Sequence, residues 1–320
     1  MATPPLGHFE KVYALAADAR RLVVGGVRPG AASRVTVYDH VANKAIHALD
    51  VPAHVYGLAA SHDRVLAACA DGRLRHWLLS GNGEVSEGTI EAHTGACHAV
   101  AVAPGGDRVA TVGADGSARL WSIATGAKLG EWALSPSALR AVAIDPSGEY
   151  LGAAGDDGIV RVVALATGAR RDMPGHEGAV HALAFTPRDG RLASAGDDGT
   201  IRLWYLVGAV EFESRGGDSS GHKGAVLALV FPPTPTTKTP NDDPGDRLYS
   251  AGVDGGVKVW RLDDRRKPRT LDVGGVVRAL AFVPPAPNAQ NVLGALVAGG
   301  DGRVVSRYSI DATGNPADTR

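Results

Sequence analysis

Three observations predict an all-β chain of four-stranded antiparallel sheets: seven imperfect copies of one unit, an Asp-Gly pair in six of them, and short apolar runs separated by turn residues. The clearest copy, GHEGAVHALAFTPRDGRLASAGDDGTIRLWYL, runs from Gly175 to Leu206. Copies in register begin at Ala92 and at Gly221, and weaker ones at His8, Ala53, Leu139 and Val276. Each contains three alternating or continuous apolar runs, then a looser fourth such as AKLGEWAL, which reads as four short strands. The pairs at Asp71, Asp115, Asp157, Asp198, Asp254 and Asp301 supply the positive φ of a two-residue hairpin between the second and third strands.

One such sheet cannot bury both faces alone. Stacking seven around an axis gives each sheet two neighbours, and the expected fold is a seven-bladed β-propeller in a single domain, 1–320. The expected blades are 8–50, 53–91, 92–134, 137–174, 175–214, 221–273 and 275–310.

Bulk properties agree and narrow the function. The 320 residues are 44% hydrophobic and 21% charged, enough for a large core. A net charge of −1 gives no broad attraction for nucleic acid or a membrane surface, and neither is an expected partner. Cys69 and Cys97 are too few for a disulfide framework and read as buried thiols in a reducing compartment, the cytoplasm. No apolar run suits a signal peptide or a membrane span.

The Gly-His near the start of the best copies and the Trp ending their third strand, with Asp71 to Trp77, Asp115 to Trp121, Asp198 to Trp204 and Asp254 to Trp260 each 6 apart, resemble the WD-repeat family. The resemblance covers nearly the whole chain. It implies a hydrogen-bonded set inside each blade: His93, Thr111, Asp115 and Trp121 in blade three; His176, Ser194, Asp198 and Trp204 in blade five; His222, Ser250, Asp254 and Trp260 in blade six. The expectation is that each Asp accepts from the imidazole and the indole while the hydroxyl orients the His. Blade two keeps His54, Asp71 and Trp77 but has Ala67 at the hydroxyl position. Blade four keeps Asp157 beside Ala153 and Val163, so Asp157 is the less costly aspartate to remove; Tyr38 and Tyr308 stand for Trp in blades one and seven. The Asp after the Trp is missing from all four Trp blades.

The family geometry also sorts the loops. Enlarged loops fall on the bottom at Pro232 to Asp246 and Pro284 to Asn291, and on top at Val27 to Ser33 and Glu213 to Gly221. After Ile310 no apolar fourth strand follows, so either Ala2 to Leu6 closes blade seven or the chain is the N-terminal part of a longer one.

Catalytic patterns do not emerge. The Asp156-Asp157 and Asp197-Asp198 pairs lack metal-ligand spacing, and His93, Cys97 and His98 diverge in the repeat register. GGVRPGAAS lacks the ending of a phosphate loop, and no cofactor or small-molecule substrate is expected. The expected function is a non-catalytic scaffold for protein–protein interaction; a propeller hydrolase with an axial metal site is the alternative.

Aligning the first strands on x-Ala-Leu-Ala puts Tyr13, Tyr56, His98, Arg140, His181, Leu227 and Arg278 at one position, recurring every 41 to 51 residues. In the family this position lies near the top mouth of the central channel, so the seven are expected to form a partner-binding ring, with Asp156 and Asp197 adding an acidic sector. The plainer alternative is a set of ordinary strand ends.

Overall fold

Alternation of small apolar residues with turn glycines leaves each unit one way to satisfy its backbone: to fold back on itself in antiparallel strands. In the computed structural model this produces, among the described residues, 27 strands and no helix. Residues 9–27, 33–42, 44–61, 63–80, 84–206, 212–215, 221–232, 247–262, 267–285, 292–301 and 306–311 are described. The strands form seven antiparallel sheets over 11–51, 55–91, 97–133, 139–173, 180–215, 226–272 and 277–311. Six have four strands, and the seventh has three among the described residues. The candidate closing segment Ala2 to Leu6 and the tail after Asp311 lie outside them.

The sheets stand side by side in chain order, and the first packs against the seventh. Burial decreases outward from the second strand. In blades two to five that strand is buried from its second residue onward, whereas the outermost strand Lys128–Ala133 alternates exposed and half-buried residues. Apolar clusters therefore lie between blades. Ala110, Val112 and Leu120 of blade three meet Leu139, Leu151 and Val163 of blade four. The ring closes in the same way, with Val12, Leu15 and Tyr38 of blade one on Ala279, Val283 and Val297 of blade seven. Tyr38 and Tyr308 pair with Leu22 and Leu296, in the register that Trp121 holds against Val109.

The hairpin glycines have the expected left-handed backbone, with φ of +82° at Gly72, +69° at Gly116, +71° at Gly158, +68° at Gly199 and +76° at Gly255. Asp301 departs from the expectation. Its N–H donates to the carbonyl of Val276, as Asp156 donates to Ala138 and Asp197 to Ala179. Asp301 thus occupies the position before the turn aspartate, one residue out of the expected register.

The buried polar sets differ from the sequence expectation in one bond. In blade five His176 Nδ1–H donates to Asp198 (2.9 Å), Ser194 Oγ–H donates to His176 Nε2 (2.7 Å), and the Trp204 indole donates to Ser194 Oγ (2.7 Å), not to Asp198. Blade three repeats this through His93, Thr111 and Trp121, each link 2.9 Å. Blade six does so through His222, Ser250 and Trp260 at 2.9, 2.7 and 2.7 Å. The indole, the hydroxyl and the imidazole each donate once along the line Trp, hydroxyl, His to an Asp that only accepts, an order that takes a neutral imidazole. The aspartate also caps the hairpin, Asp198 accepting from the N–H of Glu177 (3.2 Å) and Thr200 (3.0 Å).

Blades two and four reach the same end with arginine. His54 does not bond Asp71; Arg75 does, at 3.0 and 2.7 Å. Asp157 accepts from Arg161 at 3.0 and 2.5 Å and from Ser135 Oγ at 2.6 Å, and the Arg161 side chain is only 3% exposed. Burial raises the Asp157 carboxyl, but the Arg161 and Ser135 hydrogen bonds outweigh it and leave it at about 2.

This reverses the expected order of two substitutions. Asp157→Ala takes both carboxylate bonds from the buried Arg161 guanidinium and leaves it Ile159 O and a 3.9 Å approach to Asp172, at about 3–5 kcal/mol, whereas Asp198→Ala leaves neutral donors unpaired and removes only a 3.8 Å approach from Arg202, at about 1–3 kcal/mol. Thermal melts of the two variants check this: Asp157→Ala should lower the melting temperature at least as far as Asp198→Ala.

The neutral histidines carry a pH dependence. Burial lowers His93 and His222, against the opposing pull of Asp115 and Asp254, and burial likewise lowers His54. An unfolded histidine takes up its proton near 6.5 while the folded ones resist it, so the unfolded state binds more protons below that pH. Stability should be full above pH 6.5 and fall on acidification, by at most about 1.4 kcal/mol per pH unit for each site. His93→Gln combined with His222→Gln should flatten melting temperature against pH between about 6.5 and 5.

Candidate functional site

Each innermost strand begins with an irregularity. In blade four the pairing passes from Leu139↔Gly155 to Ala141↔Ala154, leaving Arg140 with no opposite residue. The same β-bulge extrudes Tyr13, Tyr56, His98, His181, Leu227 and Arg278 in the other six blades. A bulge re-aims a side chain that regular pleating would send into the inter-blade core. Here it aims all seven at one place: Tyr13, Tyr56, His98, Arg140, His181, Leu227 and Arg278 line a single recess of about 200 Å³ at the end of the central channel. This is the face of the Asp-Gly hairpins.

The bulge has a partner on the second strand. In six blades the residue opposite the one preceding the bulge is glycine, and a Cβ on Gly155 or Gly196 would lie 2.1 Å from the carbonyl oxygen of Ala138 or Ala179. Blade two has Cys69 there and keeps the bulge nonetheless. These glycines, the first G of AGDDG in blades four and five, of VGADG in blade three and of AGVDG in blade six, are the signal from which the bulges were readable.

The acids do not form a separate sector. Arg140 pairs with Asp156, Nη2 at 3.0 Å and Nε closer still. His181 Nε2 lies 2.7 Å from Asp197, and Arg278 donates to both oxygens of Asp301 at 2.7 and 2.8 Å. The Asp301 hydrogen bonds raise Arg278, and reciprocally hold Asp301 low. Asp301 was missed as a rim residue because its Asp-Gly pair reads as a turn.

Blades one to three carry aromatic side chains instead. The Arg278 guanidinium stands 5.8 Å from the Tyr13 ring, Tyr13 meets His54 edge-on at 4.2 Å, His54 meets Tyr56 at 4.8 Å, and Tyr56 meets His98 at 5.4 Å. His54 thus joins this arc. Burial lowers His98 despite its hydrogen bond to a carbonyl, so the neutral ring donates Nδ1–H to Leu139 O (2.8 Å) and keeps Nε2 as an acceptor.

His93 and Cys97 turn elsewhere, His93 to Asp115 and Cys97 into the core between blades two and three. Among the described residues no three His, Cys, Asp or Glu side chains gather where one ion could be held. Of the four enlarged loops, 28–32, 216–220, 233–246 and 286–291 lie outside the described residues.

Comparison with curated proteins yields no match. The family model for WD domain, G-beta repeat, matches four times, at residues 84–122, 132–163, 169–205 and 217–261. These four matches fall within seven sheets of one topology closed around an axis, so the chain belongs to the WD-repeat β-propeller family.

Proposed function

We propose that this chain is a non-catalytic scaffold that holds a peptide or a loop of another protein on its top face, around the mouth of the central channel. WD-repeat propellers generally act as protein-interaction scaffolds. The observation that carries the reading is the convergence of seven extruded side chains, one from each blade, on one recess. Nothing in the sheet pairing requires those side chains, and two Tyr and two Arg among the seven are residue types that dominate binding hot spots. The buried free thiols of Cys69 and Cys97 support a cytoplasmic setting.

The test is affinity purification from the native host, with the unaltered chain against the double variant Arg140→Glu, Arg278→Glu. Each substitution sets a carboxylate against Asp156 or Asp301 and reverses the charge at the mouth. The two arginine side chains are 40% and 35% exposed, and such pairs contribute about 0–1 kcal/mol to folding. The variant should keep its melting temperature within a few degrees and lose the main co-purifying protein. Recovery of that protein at unchanged yield would remove the top ring from consideration.

A further inference from the structure

The outer strands form a belt in which the end of one reaches the turn of the next blade. Ile90, on the outer strand of blade two, lies 3.9 Å from where a Cβ on Gly126 in the turn of blade three would stand, and Trp132 of blade three lies 3.6 Å from the same place at Gly168 in blade four. Inside the belt, the third-strand residue before the Trp position is apolar and buried in five blades: Val37, Leu120, Val162, Leu203 and Val259. Blade two has the half-buried His76 there. In blade seven the register Leu296↔Tyr308 gives this place to Arg307, which is exposed. Its partly desolvating surroundings lower the guanidinium, and no carboxylate offsets them. The blade-one turn that a seventh outer strand would reach leaves Val41 54% exposed. Among the described residues Ser306–Asp311 is paired on one side only.

Two parts of the chain are placed to close this edge, 1–7 and 312–320, and their chemistry separates them. The outer strands of blades three and four open from Ala-Thr-Gly, at 124–126 and 166–168. Gly126 and Gly168 take φ of +69° and +73° and donate to the carbonyls of Ser122 and Ala164, while the Thr hydroxyls accept from the N–H of Ala127 and Ala169. Ser122 and Ala164 then donate to the carbonyls of those alanines, which begins the ladder. The same triplet recurs at 312–314, one residue later when counted from Tyr308 than from Trp121.

Prolines and charge agree. In an antiparallel ladder a residue that bonds the neighbouring strand alternates with one that points away. Ala127 and Ala169 bond, so the N–H groups of Lys128 and Arg170 point outward, and Pro316, also two after its glycine, has no ladder bond to lose there. Pro4 and Pro5 are adjacent, so in any register one of them faces the ladder without an N–H. Residues 1–7 contain no acid, whereas 315–320 contain Asp318. In blades one and three the outer strand carries one extra residue, Ile46 or Leu129, just after the partner of Tyr38 or Trp121. That register, started at Pro316, sets Asp318 opposite Arg307.

We infer that blade seven is closed from its own C-terminal side, by residues 315–320 added to Ser306–Asp311 as a fourth strand with Asp318 against Arg307, and not by the segment before Phe9. An opposite-charge pair directly across two strands favours that register over its neighbours.

The test is hydrogen exchange on the whole chain, read at the amides of Arg307 and Ser309, the second being the counterpart of Ser122. Truncation after Gly314 should speed exchange there about tenfold or more, and removal of residues 2–6 should change it less than about twofold. Arg307→Asp and Asp318→Arg should each speed it, and the two together should restore it, in protein whose melting temperature shows it to be folded. Exchange that ignores the truncation, or that responds to removal of residues 2–6 instead, overturns the inference. Protection that rises with protein concentration also overturns it, and gives the edge to a second copy. Single substitutions that the double exchange fails to rescue overturn the pairing of Arg307 with Asp318, and the inference with it.

Discussion

A sheet of four short strands with two apolar faces is stable only between two others, and this constraint governs the molecule. No blade has a core of its own. The clusters lie across the gaps, one strand's leucines and valines filling space between their own sheet and the next. Closure is therefore an energetic requirement, met where Val12 and Leu15 reach Val297 and Val283. It also places seven first strands around one axis. The recess is a by-product of that arrangement before it is anything else.

Within the blades the turn aspartate is the fixed point and its donors are interchangeable. Asp115, Asp198 and Asp254 receive an imidazole backed by a hydroxyl and an indole, Asp115 with the Arg119 guanidinium besides, while Asp71 and Asp157 receive a guanidinium and no imidazole. Both solutions put a carboxylate where it can cap the hairpin and satisfy a buried donor. They differ in cost of failure, because a neutral ring left unpaired is less unfavourable than a buried charge. The two arginine-based blades are thus not degraded copies of the histidine-based ones.

Fold and blade order were legible because four blades repeat a rigid spacing from hairpin to Trp, and a two-residue turn tolerates no slippage. The ring positions were legible for the same reason, since a small residue and then Leu or Val after each one fix the phase of the first strand. The bulges that extrude the ring were not read, because an extra residue on one strand shows only in its partner, as the glycine opposite. The aspartate donors of blades two and four were hidden by alternation. Arg75 and Arg161 look like solvent-facing strand residues, yet a basic residue four places after the turn aspartate recurs in Arg119, Arg202 and Lys258. His54 was assigned to a hydrogen-bonded set that blade two lacks, because a packing preference among Tyr13, Tyr56 and an imidazole leaves no trace in spacing.

The bulges separate two kinds of tolerance. A residue extruded from the ladder has no opposite member, so Arg140 or His181 can be exchanged for another type without disturbing a cross-strand pair. The glycines a few ångströms away have less latitude, since a Cβ on any of the six would come within 2.7 Å of a carbonyl oxygen, and only blade two, with Cys69, is built without one. Recognition and architecture are encoded in adjacent residues under opposite pressures. A chain built this way can drift through many mouths, altering the chemistry it presents one blade at a time, while the scaffold behind each change stays the same.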